Sequence, residues 1–213
     1  MTKPGKHYVI ENVAMDKVLS PMAKSVHVDR ERIVRRIVHM TIVLAPIYYF
    51  IPEYIVPGLP KREALILLMI AILAFEAFRL QLRIKIAGLR SYEYSRLSSF
   101  SWAFMGVCMV VLFFPFPIAL AAFVGLAFMD PLAGELRHSG HRQLANVIWP
   151  ISFAIFTLIL VYHYSPADVP FTMGFAGSTV SWLSEKLKFK SVDDDFLMAV
   201  LPAASMLLAH ILL

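Results

Sequence analysis

Uninterrupted apolar runs of bilayer length constrain this chain more than any single motif. A helix needs about twenty predominantly apolar residues to cross a hydrocarbon core, and such runs recur along most of the 213 residues. They predict spans at about Ile37–Val56, Ala64–Leu80, Ser98–Phe114, Ile118–Met129, Leu144–Tyr162, Phe171–Leu183 and Phe196–Leu213. Composition agrees, with 59% hydrophobic and only 16% charged residues, the balance of a polytopic membrane protein rather than a soluble domain. The fold expected is an all-α transmembrane bundle of about seven spans over residues 37–213, behind a basic tail over residues 1–36. The tail has no apolar core and is not a signal peptide.

Details of the runs sharpen this picture. Pro46 and Pro52 interrupt the first span, and a short loop, Pro57–Glu63, follows it. Glu76 and Arg79 close the second span three residues apart, on one helix face, where they can pair at the interface. Pro115-Phe116-Pro117 joins the third and fourth spans so tightly that they read as an antiparallel hairpin. The fourth is short unless it runs through Asp130-Pro131 to Leu136, where a proline breaks or kinks a helix. Phe171–Leu183 is rich in small residues such as Gly174, Gly177 and Ser178, which permit close helix packing.

Basic residues orient the bundle. With the N-terminus inside, 18 of the 20 Lys and Arg lie on the cytoplasmic side, leaving Lys61 and Arg62 outside. That is the bias expected of an integral, multi-pass membrane protein. It also explains the net charge of +5 without a nucleic-acid partner, because the charges are scattered between spans. The only cysteine, Cys108, lies in an apolar run, so there is no disulfide framework and no thiolate metal site.

The same orientation gathers chemistry at one face. Phe123–Arg142 passes from an apolar helix into Asp130, Glu135, Arg137, His138, His141 and Arg142. A carboxylate in a membrane segment is expensive and points to function; its other reading is the end of a span at headgroup level. Glu93, Asp130, Glu135, Asp193, Asp194 and Asp195 all fall on the cytoplasmic side with the arginines. Carboxylates that can hold Mg²⁺ thus share a face with cations that can hold phosphate.

Arg90, Glu93 and Arg96 are spaced either as a juxtamembrane helix touching headgroups or as a phosphate-binding arm in which Glu93 orients an arginine. Asp193, Asp194 and Asp195 also suit a solvated helix start. His138 and His141 offer too few ligands for zinc and read as interfacial polar residues, and His39 reads as a helix-end anchor. Trp102, Trp149 and Trp182 fit interfacial anchoring.

Four stretches together resemble the CTP-dependent polyprenol kinases, the dolichol kinase and phytol kinase group related to phosphatidate cytidylyltransferases. They are Arg35-Arg36-Ile-Val-His39; Glu76-Ala-Phe-Arg79 with the Arg90, Glu93, Arg96 arm; Asp130-Pro-Leu-Ala133, similar to an Asp-x-x-Ala nucleotide motif; and Val192-Asp193-Asp194-Asp195, similar to an Asp-Asp-Asn motif. The chain departs from that pattern at Met129 and Arg137, where the family usually has Gly, at Asp195, and in lacking a Lys-Lys-Ser/Thr segment. The extended cytidylyltransferase signature is absent too.

The resemblance implies transfer of the γ-phosphate of CTP to a prenol hydroxyl at the cytoplasmic face. Phosphoryl transfer asks a protein mainly for metal, cations and a positioned acceptor. On this reading Asp130 with Asp193 or Asp194 holds Mg²⁺, and Asp130 with Asp194 is the preferred metal pair. Arg96, Arg137 and Arg142 face phosphates beside Glu93 and Ala133, and a second late aspartate accepts the alcohol's proton. The prenol lies along the spans among membrane lipids. Competing readings are a CDP-lipid synthase, a small transporter and a non-catalytic protein of the same fold.

Overall fold

The computed structural model describes residues 36–213, except 38, 85, 87, 88, 90, 166, 167, 188, 190 and 191. The expected tail is therefore outside the described residues apart from Arg36. Seven helices account for most of what is described. They are α1 (His39–Phe50), α2 (Lys61–Gln81), α3 (Ser99–Phe113), α4 (Phe116–His138), α5 (Gln143–Val161), α6 (Asp168–Ser184) and α7 (Asp194–Leu212). Three of them, α4, α5 and α7, are long and apolar enough to cross a membrane.

Proline chemistry sets several boundaries. The first apolar run does not stay helical to Val56; α1, wound as a 3-10 helix over Ile42–Phe50, stops at Phe50. Ile51 precedes Pro52 and is extended, at φ −68° and ψ 135°, because the proline ring disfavours the helical region for the residue before it. The chain then makes a small hairpin, β1 (Tyr54–Val56) against β2 (Leu59–Pro60). Pro57 and Gly58 form its turn, with Gly58 at φ 85°, as a turn with Pro then Gly at its centre requires.

The fourth run continues through Asp130-Pro131. Pro131 cannot donate a backbone hydrogen bond, and its ring would crowd the carbonyl four residues back. The helix answers by widening into a π turn over Gly125–Met129, where the Asp130 N–H reaches the Gly125 carbonyl. Such widened turns recur at functional sites. Gly140, at φ 86°, ends α4: its N–H reaches the Arg137 carbonyl and the His141 N–H reaches Leu136, a left-handed cap that favours glycine.

α4 is the centre of the core. Ile118, Ala119, Ala121, Ala122, Phe123, Leu126 and Ala127 are all fully buried. α7 packs on α3, α4 and α6, and α6 lies between α5 and α7. The close approach of α6 to α5 depends on Gly174, where a Cβ would sit 2.2 Å from Thr157 Oγ1. The small residues of this segment therefore do permit tight packing, although Phe171, Phe175 and Leu183 leave one face of α6 exposed.

α2 is different. Only Glu76 and Arg79 are buried among its 21 residues, and it packs mainly on α3.

Candidate functional site

One end of the bundle collects the polar residues of several helices. Asp130 starts the last turns of α4, His39 starts α1, and Asp193, Asp194 and Asp195 open α7. His39 Nε2 lies 3.0 Å from Asp195 Oδ1 and 3.9 Å from Asp130 Oδ2. His39 and Asp195 are buried, and Asp130 is partly exposed. The ligand atoms of these three lie within 4.8 Å of one another, as do those of Asp193, Asp194 and Asp195.

The three consecutive aspartates have distinct jobs. Asp193 is the N-cap, accepting the Asp195 N–H at 3.3 Å, so part of this run is indeed a helix start. Burial, followed by the charge of Asp195 and the neighbouring Asp194, pushes the Asp193 carboxyl up to about 7. Asp195, rather than Asp194, turns inward to meet Asp130 and His39. The expected juxtaposition of the fourth and seventh spans is present, since α4 packs on α7, but Asp130 is grouped with Asp195 while Asp194 belongs to the second group.

Sequence reasoning named Asp195 only as one of the cytoplasmic carboxylates and His39 as a helix-end anchor, and placed neither in the metal pair. A signal for Asp195 existed. The buried face of α7 runs Met198, Ala199, Pro202, Ala203 and Met206, and stepping that face back by three or four residues lands on Asp195.

The other expected residues are distributed around this centre. Ala133 is buried one turn beyond Asp130, and its carbonyl accepts the Arg137 Nε–H at 3.1 Å. The Arg137 guanidinium is paired with Glu185, as Arg36 is with Glu135. Arg137 is thus tied to the end of α6. The side chain of Arg142 lies outside the described residues, as does Arg90.

Glu93 and Arg96 belong to a second polar cluster. Arg79 is fully buried and donates to Glu76 Oε2 at 2.6 Å, to the Glu93 carbonyl at 3.1 Å and to the Arg96 carbonyl at 2.7 Å. Glu76 in turn accepts from the Ser98 hydroxyl at 2.8 Å, and Glu93 Oε1 accepts the Ser99 N–H at 3.3 Å. The Glu76–Arg79 pair expected at an interface is therefore a buried clamp. It fixes the connection between α2 and α3 and helps cap α3. The side chain of Arg96 itself is exposed.

A half-open cavity of about 790 Å³ joins the two clusters. Its polar end has His39, Asp195, Glu76, Glu93, Ser98, Ser99 and Ser101; its walls are apolar faces of α1, α2 and α3. The volume lies within the range of small-molecule sites, about 300–1,000 Å³.

Several Trp assignments also become specific. Trp149 donates from its indole to Thr179 at 3.3 Å between α5 and α6, and Trp102 packs edge-on against Phe196.

The donor chemistry fits a hard divalent cation. Asp130, Asp193, Asp194 and Asp195 offer carboxylate oxygens, the ligands Mg²⁺ prefers. His39, engaged with Asp195, suits the outer role of orienting a ligating carboxylate. No known protein family, no curated protein and no solved structure matches this chain.

Proposed function

We propose that this protein is a membrane kinase of the polyprenol kinase type, moving the γ-phosphate of CTP to the hydroxyl of a polyprenol such as dolichol. One observation carries the reading. Carboxylates from the ends of two apolar helices meet a buried histidine at the polar end of an apolar cavity. A charged donor and an oily acceptor need such a junction.

Asp130 and Asp195 would hold a Mg²⁺, with Asp193 and Asp194 beside them. Such an ion would supply positive charge to offset what develops on the transferring phosphoryl group. The acceptor oxygen attacks the γ-phosphorus, the bond to the β–γ bridging oxygen breaks, and CDP leaves. The acceptor's proton passes to the Asp195–His39 pair, which lies within hydrogen-bond reach of the cavity's polar end. Arg137, Arg142 and Arg96 supply cations near the phosphates, because guanidinium groups match phosphate geometry. CTP as donor rests on the motif resemblance.

We further propose seven spans with the N-terminus and the active site on the cytoplasmic side. The basic-residue bias supports this topology. So do the contacts: His39, Asp130, Glu185 and Asp195 converge at one end. Tyr49 meets the Phe114 carbonyl, and Tyr164 meets His210, at positions that alternation places at the other end.

The test is the fate of label in detergent-purified protein given CTP, Mg²⁺ and a prenol. Label moving from the γ-phosphate to lipid is the expected result. Label moving from the α-phosphate indicates a CDP-lipid synthase, and no transfer indicates a non-catalytic protein; either outcome overturns the proposal.

A further inference from the structure

The hairpin that joins α1 to α2 departs from the polar make-up of an ordinary solvent-facing turn. Its first strand, β1, is Tyr54-Ile55-Val56, and Pro57, Leu59 and Pro60 complete the loop. Successive residues of a strand point to opposite faces, so Tyr54 and Val56 share one face and Ile55 takes the other. All three are more than half exposed, at 62%, 51% and 52%. Phe50, at the end of α1, is 75% exposed just before them. A strand docked on protein hides one face. This one presents apolar side chains on both, which water penalises and a fluid apolar medium does not.

The place of the hairpin in the bundle says which medium meets it. The Lys61 backbone N–H donates to the Glu53 carbonyl at 2.7 Å, and its ammonium donates to the Ile51 carbonyl at 2.9 Å. The end of α1 and the start of α2 are thereby tied at one level. α1 is also short. Its 3-10 stretch has 9 residues and rises about 18 Å at about 2.0 Å per residue. Even with the single turn before it, α1 falls short of a hydrocarbon core about 30 Å thick. With His39 at the boundary of one leaflet, Phe50 ends inside the other, and the hairpin covers the remaining depth. A tyrosine, with an apolar ring and a hydroxyl, settles at such a boundary. The surrounding charges, Glu53 and Glu63 against Lys61 and Arg62, balance in sign, so attraction to anionic headgroups is not what holds the hairpin.

We infer that the β1–β2 hairpin is a membrane-interface anchor, which buries Tyr54, Ile55 and Val56 at the headgroup–acyl boundary of the leaflet opposite the His39 end. The bilayer is its partner, and it fixes the outer ends of α1 and α2 against lipid. The inference is independent of the kinase reading; it stands on the hairpin and on the apolar helices that place the chain in a membrane.

The experiment uses the full chain in phosphatidylcholine nanodiscs, where quenchers reach both membrane faces. In a Cys108→Ala background, Ile55→Cys and Val56→Cys are each labelled with a nitrobenzoxadiazole dye. These positions sit on opposite faces of β1 and are exposed, and either one alone keeps the test alive if the other variant misfolds. At both, the iodide quenching constant should be at least fivefold below that of the free dye–thiol adduct. Lipid carrying a nitroxide at carbon 5 of its acyl chain should quench at least twice as strongly as lipid carrying it at carbon 12. Exchanging half of the phosphatidylcholine for phosphatidylglycerol should leave these constants within error. Iodide quenching within twofold of the free adduct places the hairpin in water and overturns the inference. Protection of either label from both iodide and nitroxide lipid means that protein covers that face, and it overturns the inference equally. So does anchoring that appears only with phosphatidylglycerol.

Discussion

The two halves of this bundle are equally greasy and are packed in opposite ways. In the half built from α4 to α7, Phe123, Phe156, Leu160, Met173 and Met206 are fully buried, and small residues bring helix backbones together. In the half built from α1 to α3, helix α2 leaves Leu67, Leu68, Ile70, Phe75 and Phe78 exposed and is tied to the start of α3 by Arg79, which donates to the Glu93 and Arg96 carbonyls, and by Glu76, which accepts from Ser98. Between these helices lies the 790 Å³ cavity. At about 24 cal/mol per Å³, an enclosed void of that size would cost on the order of 19 kcal/mol, more than the roughly 5–15 kcal/mol by which domains are stable. The cavity is half open rather than enclosed, so it does not carry that penalty in full. Hydrophobicity therefore decides that the chain enters a membrane, and side-chain size decides which half closes.

The sharpest way to break this contrast is to remove the clamp. Arg79→Ala leaves Glu76 buried without its cation and strips partners from the Glu93 and Arg96 carbonyls. We expect a loss of about 3–5 kcal/mol, the scale for breaking a buried pair, read as a fall in thermal midpoint and as proteolysis between α2 and α3. A midpoint within error of the wild type would show that α2 is held by something else.

Packing of the closed half should be less forgiving than that of the open half. Gly174→Val drives side-chain atoms into Thr157 and should cost about 1–3 kcal/mol. The same kind of enlargement at exposed Ala71, Ala71→Val, should stay within about 0.5 kcal/mol. Equal effects at the two sites would erase the distinction between the halves.

A smaller effect should come from pH. Asp193 sits in the fold at about 7 instead of its ordinary 3.8, because of burial and then the charge of Asp195. A raised carboxyl stabilises the folded protein while protonated, fully below its ordinary value, and that stabilisation is lost as pH rises through about 7. The metal-free protein should therefore melt higher in mildly acid than in mildly alkaline buffer, and Asp193→Asn should flatten the slope. A slope unchanged in the variant would place the titration elsewhere.

How much of this was legible beforehand follows from what sequence patterns encode. Apolar run length located α2, α3, α5 and α7 to within a few residues. It misplaced the end of α1 because Pro52 outweighs a continuing apolar run, and it left α4 ambiguous because Pro131 is absorbed by a π turn that no local pattern announces. Asp130 was legible as an isolated carboxylate at a span's end. Asp195 was not separated from Asp193 and Asp194; successive helix residues point about 100° apart, and stepping back along the buried face of α7 is what picks out the one that faces inward. His39 became informative only when α1 was placed against the start of α7, 156 residues away.

That difference between Asp194 and Asp195 provides the most direct test of the account. Asp195→Asn and Asp130→Asn keep side-chain size and should each lower γ-phosphate transfer at least about 100-fold, the upper scale for disturbing a metal's ligand environment. Circular dichroism and the elution profile should be unchanged. The double variant should be no worse than either single one, as groups that act as a unit are non-additive. Asp194→Asn should cost markedly less than Asp195→Asn. Full transfer in Asp195→Asn, or an Asp194→Asn variant that is the more damaged of the two, would contradict a reaction centred on Asp130, Asp195 and His39.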